Sequence, residues 1–208
     1  ERFYEGVQRF GFGQPTGVDL PGEVGGIVNL PGSPGWSLTT FYTNAFGQGI
    51  AVTPLQLVTA VSAIANGGVL MRPYVVKEIR DGVRVEVTQP TPVRRVISEE
   101  TARTVTEMLA ETMESYATRF SVPGYRIAAK TGTAEIPGPN GYESGEGATI
   151  ASVIGYGPVE HPRFCVLVKI DRPKASPWGE RAAGPAFAEV FRQLLLLYDI
   201  PPSEPVTP

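Results

Sequence analysis

Three segments of this chain, residues 125–136, 149–157 and 163–171, read as β-strands, and the connection between the last two constrains how they pair. In the third, Phe164, Val166, Val168 and Ile170 fall on alternate positions, the period-two signature of a strand with one face against a core. The tripeptide Glu160-His161-Pro162 makes a short turn, so strands two and three are expected to be antiparallel neighbours. A helix at about 185–198 follows, with Phe187, Val190, Phe191, Leu194 and Tyr198 on one side. Such a helix after a sheet lies across one of its faces. The expectation is an α+β fold.

The remaining segments fill in around that sheet. Phe3, Tyr4 and Val7 give residues 1–9 the look of the end of a helix. From Phe10 to Gly26 glycine and proline recur and no periodicity survives. Thr53, Pro54 and Gln56 form a helix start with a capping box. Leu57, Val61, Ile64 and Ala65 line that helix, and Leu55, Val58 and Ala60 widen the stripe. A helix apolar on nearly all sides is expected to be buried, and Asn66-Gly67-Gly68 stops it. Residues 74–79 and 83–87 flank Arg80-Asp81-Gly82 and read as a β-hairpin with Asp81-Gly82 at the turn. Ser98 caps a helix running to about Tyr116, with Ala102, Val105, Leu109, Thr112, Met113 and Tyr116 inward. Residues 1–202 are expected to form a single domain portion and 203–208 a disordered tail.

Composition removes several functions. A net charge of −3 supplies no basic footprint, so nucleic acid is not an expected partner. No apolar run reaches the roughly 18 residues of a membrane span. Cys165 is the one cysteine and His161 the one histidine, so neither a disulfide framework nor a zinc site of the usual kind is expected. His161 reads as a surface turn residue and Cys165 as a core residue. There is no Gly-x-Ser-x-Gly elbow, no Gly-Lys dipeptide for a P-loop, and no Gly-x-Gly-x-x-Gly after a strand. No metal or cofactor is expected.

What remains is Lys130-Thr131-Gly132-Thr133 in the first strand. A Lys-Thr-Gly tripeptide alone recurs by chance, and a strand with a surface lysine would account for it. Its context gives it weight, because an apolar run precedes it and a long Gly-rich loop, residues 137–148, follows. A strand edge offers N–H and C=O groups to an extended peptide. Gly132 lets such a peptide approach closely. The Thr131 and Thr133 hydroxyls can hold a terminal carboxylate, Lys130 adds the charge that anion needs, and the Thr133 N–H can face a developing oxyanion.

The residues "KTGTAE" resemble the third motif of penicillin-binding transpeptidases and serine β-lactamases. The segments "FGFGQPTGVDLPGE", "FGQGIAVTPLQLVTAVSAIANGG" and "GPAFAEVFRQLL" resemble class B penicillin-binding proteins, in that order, from Arg2 to about Pro202. The resemblance implies the penicillin-binding protein/β-lactamase-like fold, D,D-transpeptidation of peptidoglycan stem peptides ending in D-Ala-D-Ala, and trapping by β-lactams. It gives Lys130 a place in the proton network and beside the substrate anion, Thr131 and Thr133 the substrate carboxylate, Gly132 a place in substrate binding, the Thr133 N–H the oxyanion hole, and Glu135 a contact to the substrate's side chain. It also implies a peptidoglycan polymerase partner and a place at the outer face of the cytoplasmic membrane, held by an N-terminal anchor absent from this chain.

One departure is large. The family carries its nucleophile and base in Ser-x-x-Lys and a proton shuttle in Ser-x-Asn. No serine here has lysine three positions on, and none has Asn or Asp two positions on. The chain is therefore expected to be a C-terminal part, holding three strands of a five-stranded sheet, the last helix and part of the helical subdomain. It is expected to be inactive alone, with an exposed apolar edge that invites self-association or pairing with the missing N-terminal half. A β-lactam-sensing domain, or a β-lactamase or D,D-carboxypeptidase relative, is the rival reading; "FGQG" with "TPLQL" favours the transpeptidase.

Overall fold

A computed structural model of the chain describes residues 1–138 and 141–203. The tail expected to be disordered lies, from residue 204, outside the described residues. The chain divides into two units that meet at Glu99 and Glu100.

The first unit contains α1 (Arg2–Arg9), β1 (Ile27–Val28), α2 (Leu38–Asn44), β2 (Ile50–Ala51), α3 (Pro54–Ala65), β3 (Val69–Arg72), β4 (Glu78–Asp81), β5 (Arg84–Val87) and β6 (Thr91–Arg95). Its strands form antiparallel pairs, β1 with β2, β3 with β6 and β4 with β5. The capping box at Thr53 forms, with Thr53 Oγ1 accepting from Gln56 N at 3.1 Å and Gln56 Oε1 from Thr53 N at 2.9 Å.

The buried face of α3 differs from the apolar stripe read in the sequence. It is Gln56, Ala60 and Ala63 that are buried, while Leu57, Val61 and Ile64 stay half-exposed. The reason is polar. The irregular loop over residues 13–26 forms no helix or strand of its own to satisfy its backbone, so its carbonyls look for donors elsewhere. Gln56 Nε2 supplies two, to the carbonyls of Gln14 and Gly25, each at 2.7 Å. Side chains order the rest of the irregular stretch in the same way. The hydroxyl of buried Tyr4 accepts from Trp36 Nε1 at 2.9 Å and Asn44 Nδ2 at 3.0 Å. Glu23 takes the N–H and hydroxyl of Thr16 and the N–H of Gly17. Burial pushes the Glu23 carboxyl up, but these donors outweigh it and hold it below the ordinary range.

The hairpin is offset from its sequence reading. Asp81 stands opposite Arg84, so the reversal is Gly82-Val83 rather than Asp81-Gly82. Gly82 takes the left-handed conformation at φ 57°. The first strand begins only at Glu78 because the N–H groups of Val75 and Val76 are taken by the Asp19 carboxylate, each at 2.8 Å.

The second unit is built from α4 (Glu99–Ser115), β7 (Ala128–Glu135), the small β8 (Pro137–Gly138) and β9 (Gly141–Tyr142) pair, β10 (Thr149–Gly157), β11 (Phe164–Asp171), α5 (Gly179–Ala182) and α6 (Gly184–Leu197). The three long strands match the segments read as strands, antiparallel in the order β11-β10-β7. Val153 of β10 stands opposite Thr131 on one side and Val168 on the other. Phe164, Val166, Val168 and Ile170 pack against a core made by Ala129, Val153, Phe187, Phe191 and Leu195. The helix across that face is α6, as its pattern implied, but its phase differs. Leu195 turns inward, whereas Val190 and Tyr198 are 43% and 55% exposed. The Tyr198 ring instead meets Phe164 edge-on at 5.0 Å.

The β10–β11 connection spans residues 158–163 and opens on a cis Gly157–Pro158 bond, with His161 exposed in it. Cys165 is half-buried rather than in the core, because β11 ends the sheet and Cys165 alternates to the face opposite α6. The Gly-rich loop after β7 contains the β8–β9 pair, and Glu143 there binds Arg172 through both guanidinium nitrogens at 2.5 and 2.7 Å. On α4, Ala102 and Met113 are buried as read, and Val105, Leu109 and Thr112 are half-buried. Thr106 and Tyr156 share a hydrogen bond of 2.7 Å.

Two consequences are measurable. Asp19 is held below its ordinary value by the Val75 and Val76 N–H bonds. A carboxylate so depressed contributes fully above its unfolded pKa and loses that contribution as pH falls through the folded one. Protection of the Val75 and Val76 amides, taken relative to their intrinsic exchange rate at each pH, is thus expected to hold from neutral pH to about pH 4 and to fall below it; Asp19→Asn is expected to lower that protection already at neutral pH. In the second unit, Phe187→Ala empties the centre of the core and costs about 3–5 kcal/mol by chemical denaturation.

Candidate active site

Strand β7 changes character at Lys130. Ala128 and Ala129 are buried, Lys130 is exposed, Thr131 and Gly132 are half-exposed, and Thr133 and Glu135 reach solvent. The apolar run thus anchors the strand in the core and its polar continuation runs out along the margin. Only β10 pairs with β7, so its other edge carries no strand among the described residues.

The phase of the ladder decides what that edge presents. Ile136 N donates to the Ala148 carbonyl at 3.3 Å. Antiparallel pairing alternates with a period of two. In this register the N–H groups of Gly132 and Ala134 therefore enter the ladder with β10, and those of Thr131 and Thr133 face outward. Side chains alternate too. Thr131, Thr133 and Glu135 project on the α6 side with Ala129, and Lys130 and Gly132 on the opposite side. The Lys130 ammonium reaches the margin by folding onto the Thr131 carbonyl at 3.0 Å.

Each hydroxyl of the motif meets a further element. Thr131 Oγ1 and the Tyr116 hydroxyl lie 3.2 Å apart. Thr133 Oγ1 accepts from Gly179 N at 3.1 Å. Gly179 sits directly over the Gly132–Ser152 pair, where a Cβ would stand 2.5 Å from both the Gly132 and the Ser152 carbonyl oxygens. At Gly132 itself, a Cβ would lie 2.7 Å from Ser152 Oγ on the other face. Glycine at these two positions lets three layers of backbone and hydroxyl stack at one point.

All five residues singled out in the sequence, Lys130, Thr131, Gly132, Thr133 and Glu135, thus share one strand edge, with the lysine and the threonines approaching it from opposite faces. Two outward N–H groups, two hydroxyls and one ammonium make that edge suited to an extended chain ending in an anion. Sequence reasoning missed the roles of Tyr116, read only as an inner-face residue, and of Gly179, which stood in a stretch without periodicity. A cleft of about 550 Å³ in the first unit, lined by Arg9, Phe12, Gln56, Leu70 and Arg94 among others, holds none of these five. Among the described residues no group of three or more His, Cys, Asp or Glu side chains gathers in a way that could hold a metal ion.

Comparison with known proteins bears on the family and the fold. Residues 1–195 match the family described as the penicillin binding protein transpeptidase domain. The chain is 38% identical over 200 residues to stage V sporulation protein D of Bacillus subtilis, covering 94% of this chain and 30% of that protein. It is 35% identical over 201 residues to peptidoglycan D,D-transpeptidase FtsI of Escherichia coli, covering 93% and 31%. Penicillin binding protein 3 of Mycobacterium tuberculosis, solved in complex with ampicillin, superposes with a TM-score of 0.85 at 31% identity, covering 100% of this chain and 48% of that one. The chain spans about a third of the length of the curated relatives it matches. On its motifs, its fold and this match along nearly its whole length, the chain belongs to the penicillin-binding protein transpeptidase family.

Proposed function

We propose that residues 1–202 are the C-terminal portion of one peptidoglycan D,D-transpeptidase domain and form one wall of its active site. The observation that carries this reading is the free edge of β7, where Thr131 and Thr133 offer hydroxyls and outward N–H groups beside the Lys130 ammonium. The substrate is a stem peptide ending in D-Ala-D-Ala. It adds to β7 as an extra strand, and Gly132 allows the close approach. The terminal carboxylate is held by the Thr131 and Thr133 hydroxyls.

The nucleophilic serine and its lysine base belong to a segment outside these 208 residues, since neither Ser-x-x-Lys nor Ser-x-Asn occurs here. The serine oxygen attacks the carbonyl of the penultimate D-Ala, and the Thr133 N–H stabilises the oxyanion. The terminal D-Ala leaves with a proton. An amine of a neighbouring stem peptide then attacks the acyl-enzyme, forming the cross-link and returning the serine. Lys130 takes part in the proton network, and Glu135 touches the substrate's side chain. β-Lactams occupy the same edge as mimics of the dipeptide. The reading also places the whole protein at the outer face of the cytoplasmic membrane, held by a segment outside this chain, with a peptidoglycan polymerase as partner. Among the described residues no helix is long and apolar enough to cross a membrane.

Intact-mass spectrometry after benzylpenicillin treatment separates the parts of this reading. The 208-residue chain is expected to show no covalent adduct, and the same chain extended to the length of its relatives to gain one. An adduct on the short chain would show that its nucleophile lies within it. In the extended chain, Lys130→Ala is expected to slow acylation by about a hundredfold or more, the usual scale for a proton-transfer group. Wild-type rates in that variant would remove Lys130 from the chemistry.

A further inference from the structure

A hydroxyl can hold an anion only with its own proton, so what matters at Thr131 and Thr133 is where that proton is left. Both oxygens already have a partner behind the strand. An N–H group donates and never accepts. The bond from Gly179 N to Thr133 Oγ1, at 3.1 Å, therefore uses a lone pair of the hydroxyl and leaves its proton unspent. At Thr131 the partner is the Tyr116 hydroxyl at 3.2 Å. Either oxygen can donate in that contact; the phenol is the more acidic of the two, and with Tyr116 as the donor Thr131 also keeps its proton.

The two partners are themselves fixed in place. The Tyr116 ring stacks on Phe120 at 5.9 Å with 15° between planes, and Phe120 is buried against Phe187. Arg119 lies over the Tyr116 ring at 5.8 Å and approaches Glu180, the neighbour of Gly179, at 4.0 Å. Gly179 is seated on the Gly132 and Ser152 carbonyls at a distance that admits no side chain. The turn at residues 116–120 and α5 thus form a brace behind the motif strand.

We propose that Tyr116 and Gly179 are positioning residues that hold both motif hydroxyls as acceptors from behind, so that both present a proton to a carboxylate in front. This deepens the transpeptidase reading and rests on it. The selectivity it provides is for ligands with a free carboxylate at that position over neutral ones. The brace does not touch the reacting carbonyl, so its loss acts through the anion.

The test compares second-order acylation rates for benzylpenicillin and its methyl ester in the chain extended to the length of its relatives. Tyr116→Phe keeps the ring stack and removes the donor. It is expected to lower the rate with the acid about three- to tenfold, the worth of one hydrogen bond, and to change the ester rate less than about twofold. Gly179→Ala is expected to lower the acid-to-ester ratio in the same direction by pushing α5 off the sheet. Should Gly179→Ala fail to fold, Tyr116→Phe decides alone. An unchanged ratio in Tyr116→Phe, whether both rates fall together or neither falls, overturns the brace and leaves the transpeptidase reading standing. Absence of acylation in the unmutated extended chain overturns that reading and the brace with it.

Discussion

The pairing of Ala128–Glu135 with Thr149–Tyr156 is the constraint from which the site follows. Its register sets Gly132 opposite Ser152 and Thr131 opposite Val153, and its phase turns alternate amides outward. A slip of one residue would exchange the faces, sending Lys130 toward Phe187 and the threonines away from their supports. Burial makes such a slip costly. Ala129 and Val153 lie in the core with Phe187 and Phe191, and a lysine there would be a charge without water or a partner. The chemistry of the edge is thereby fixed by apolar residues that touch none of it.

The two margins of the same sheet differ in kind. The β7 margin is polar, with Lys130, Thr133 and Glu135 exposed. The β11 margin carries half-buried Cys165, Val166, Leu167 and Val168, and no further strand pairs with it among the described residues. That contrast agrees with a sheet built to continue past β11 and to stop at β7.

Much of the second unit was legible because its signals are local and strong. The alternation at Phe164–Ile170 located β11, and the apolar run into Lys130-Thr131-Gly132-Thr133 located the motif strand; the class B penicillin-binding family read from the motifs is the family found. What the sequence hid has two physical origins. Helical phase was ambiguous where apolar residues were plentiful: in α6, Val190 and Leu194 competed with Leu195, and only packing against the sheet chose Leu195. Polar tertiary bonds left no periodic trace at all. Gln56 binding the carbonyls of Gln14 and Gly25, Asp19 taking two amides fifty-six and fifty-seven positions away, and Gly179 on Thr133 join residues far apart in the chain. Each is a single side chain or amide, and no window of sequence contains both ends.

The open edge of β7 carries a hazard as well as a use. A strand with unpaired amides is a template for any other strand, including that of a second molecule. Here the exposed positions include a lysine and a glutamate, charged side chains of the kind that discourage a flat apolar strand from docking. The Lys130 ammonium also covers the Thr131 carbonyl, one of the acceptors an intruding strand would need. The residues read as receiving a substrate therefore double as gatekeepers of solubility. Apolar replacement at Lys130 would expose the edge to copies of itself.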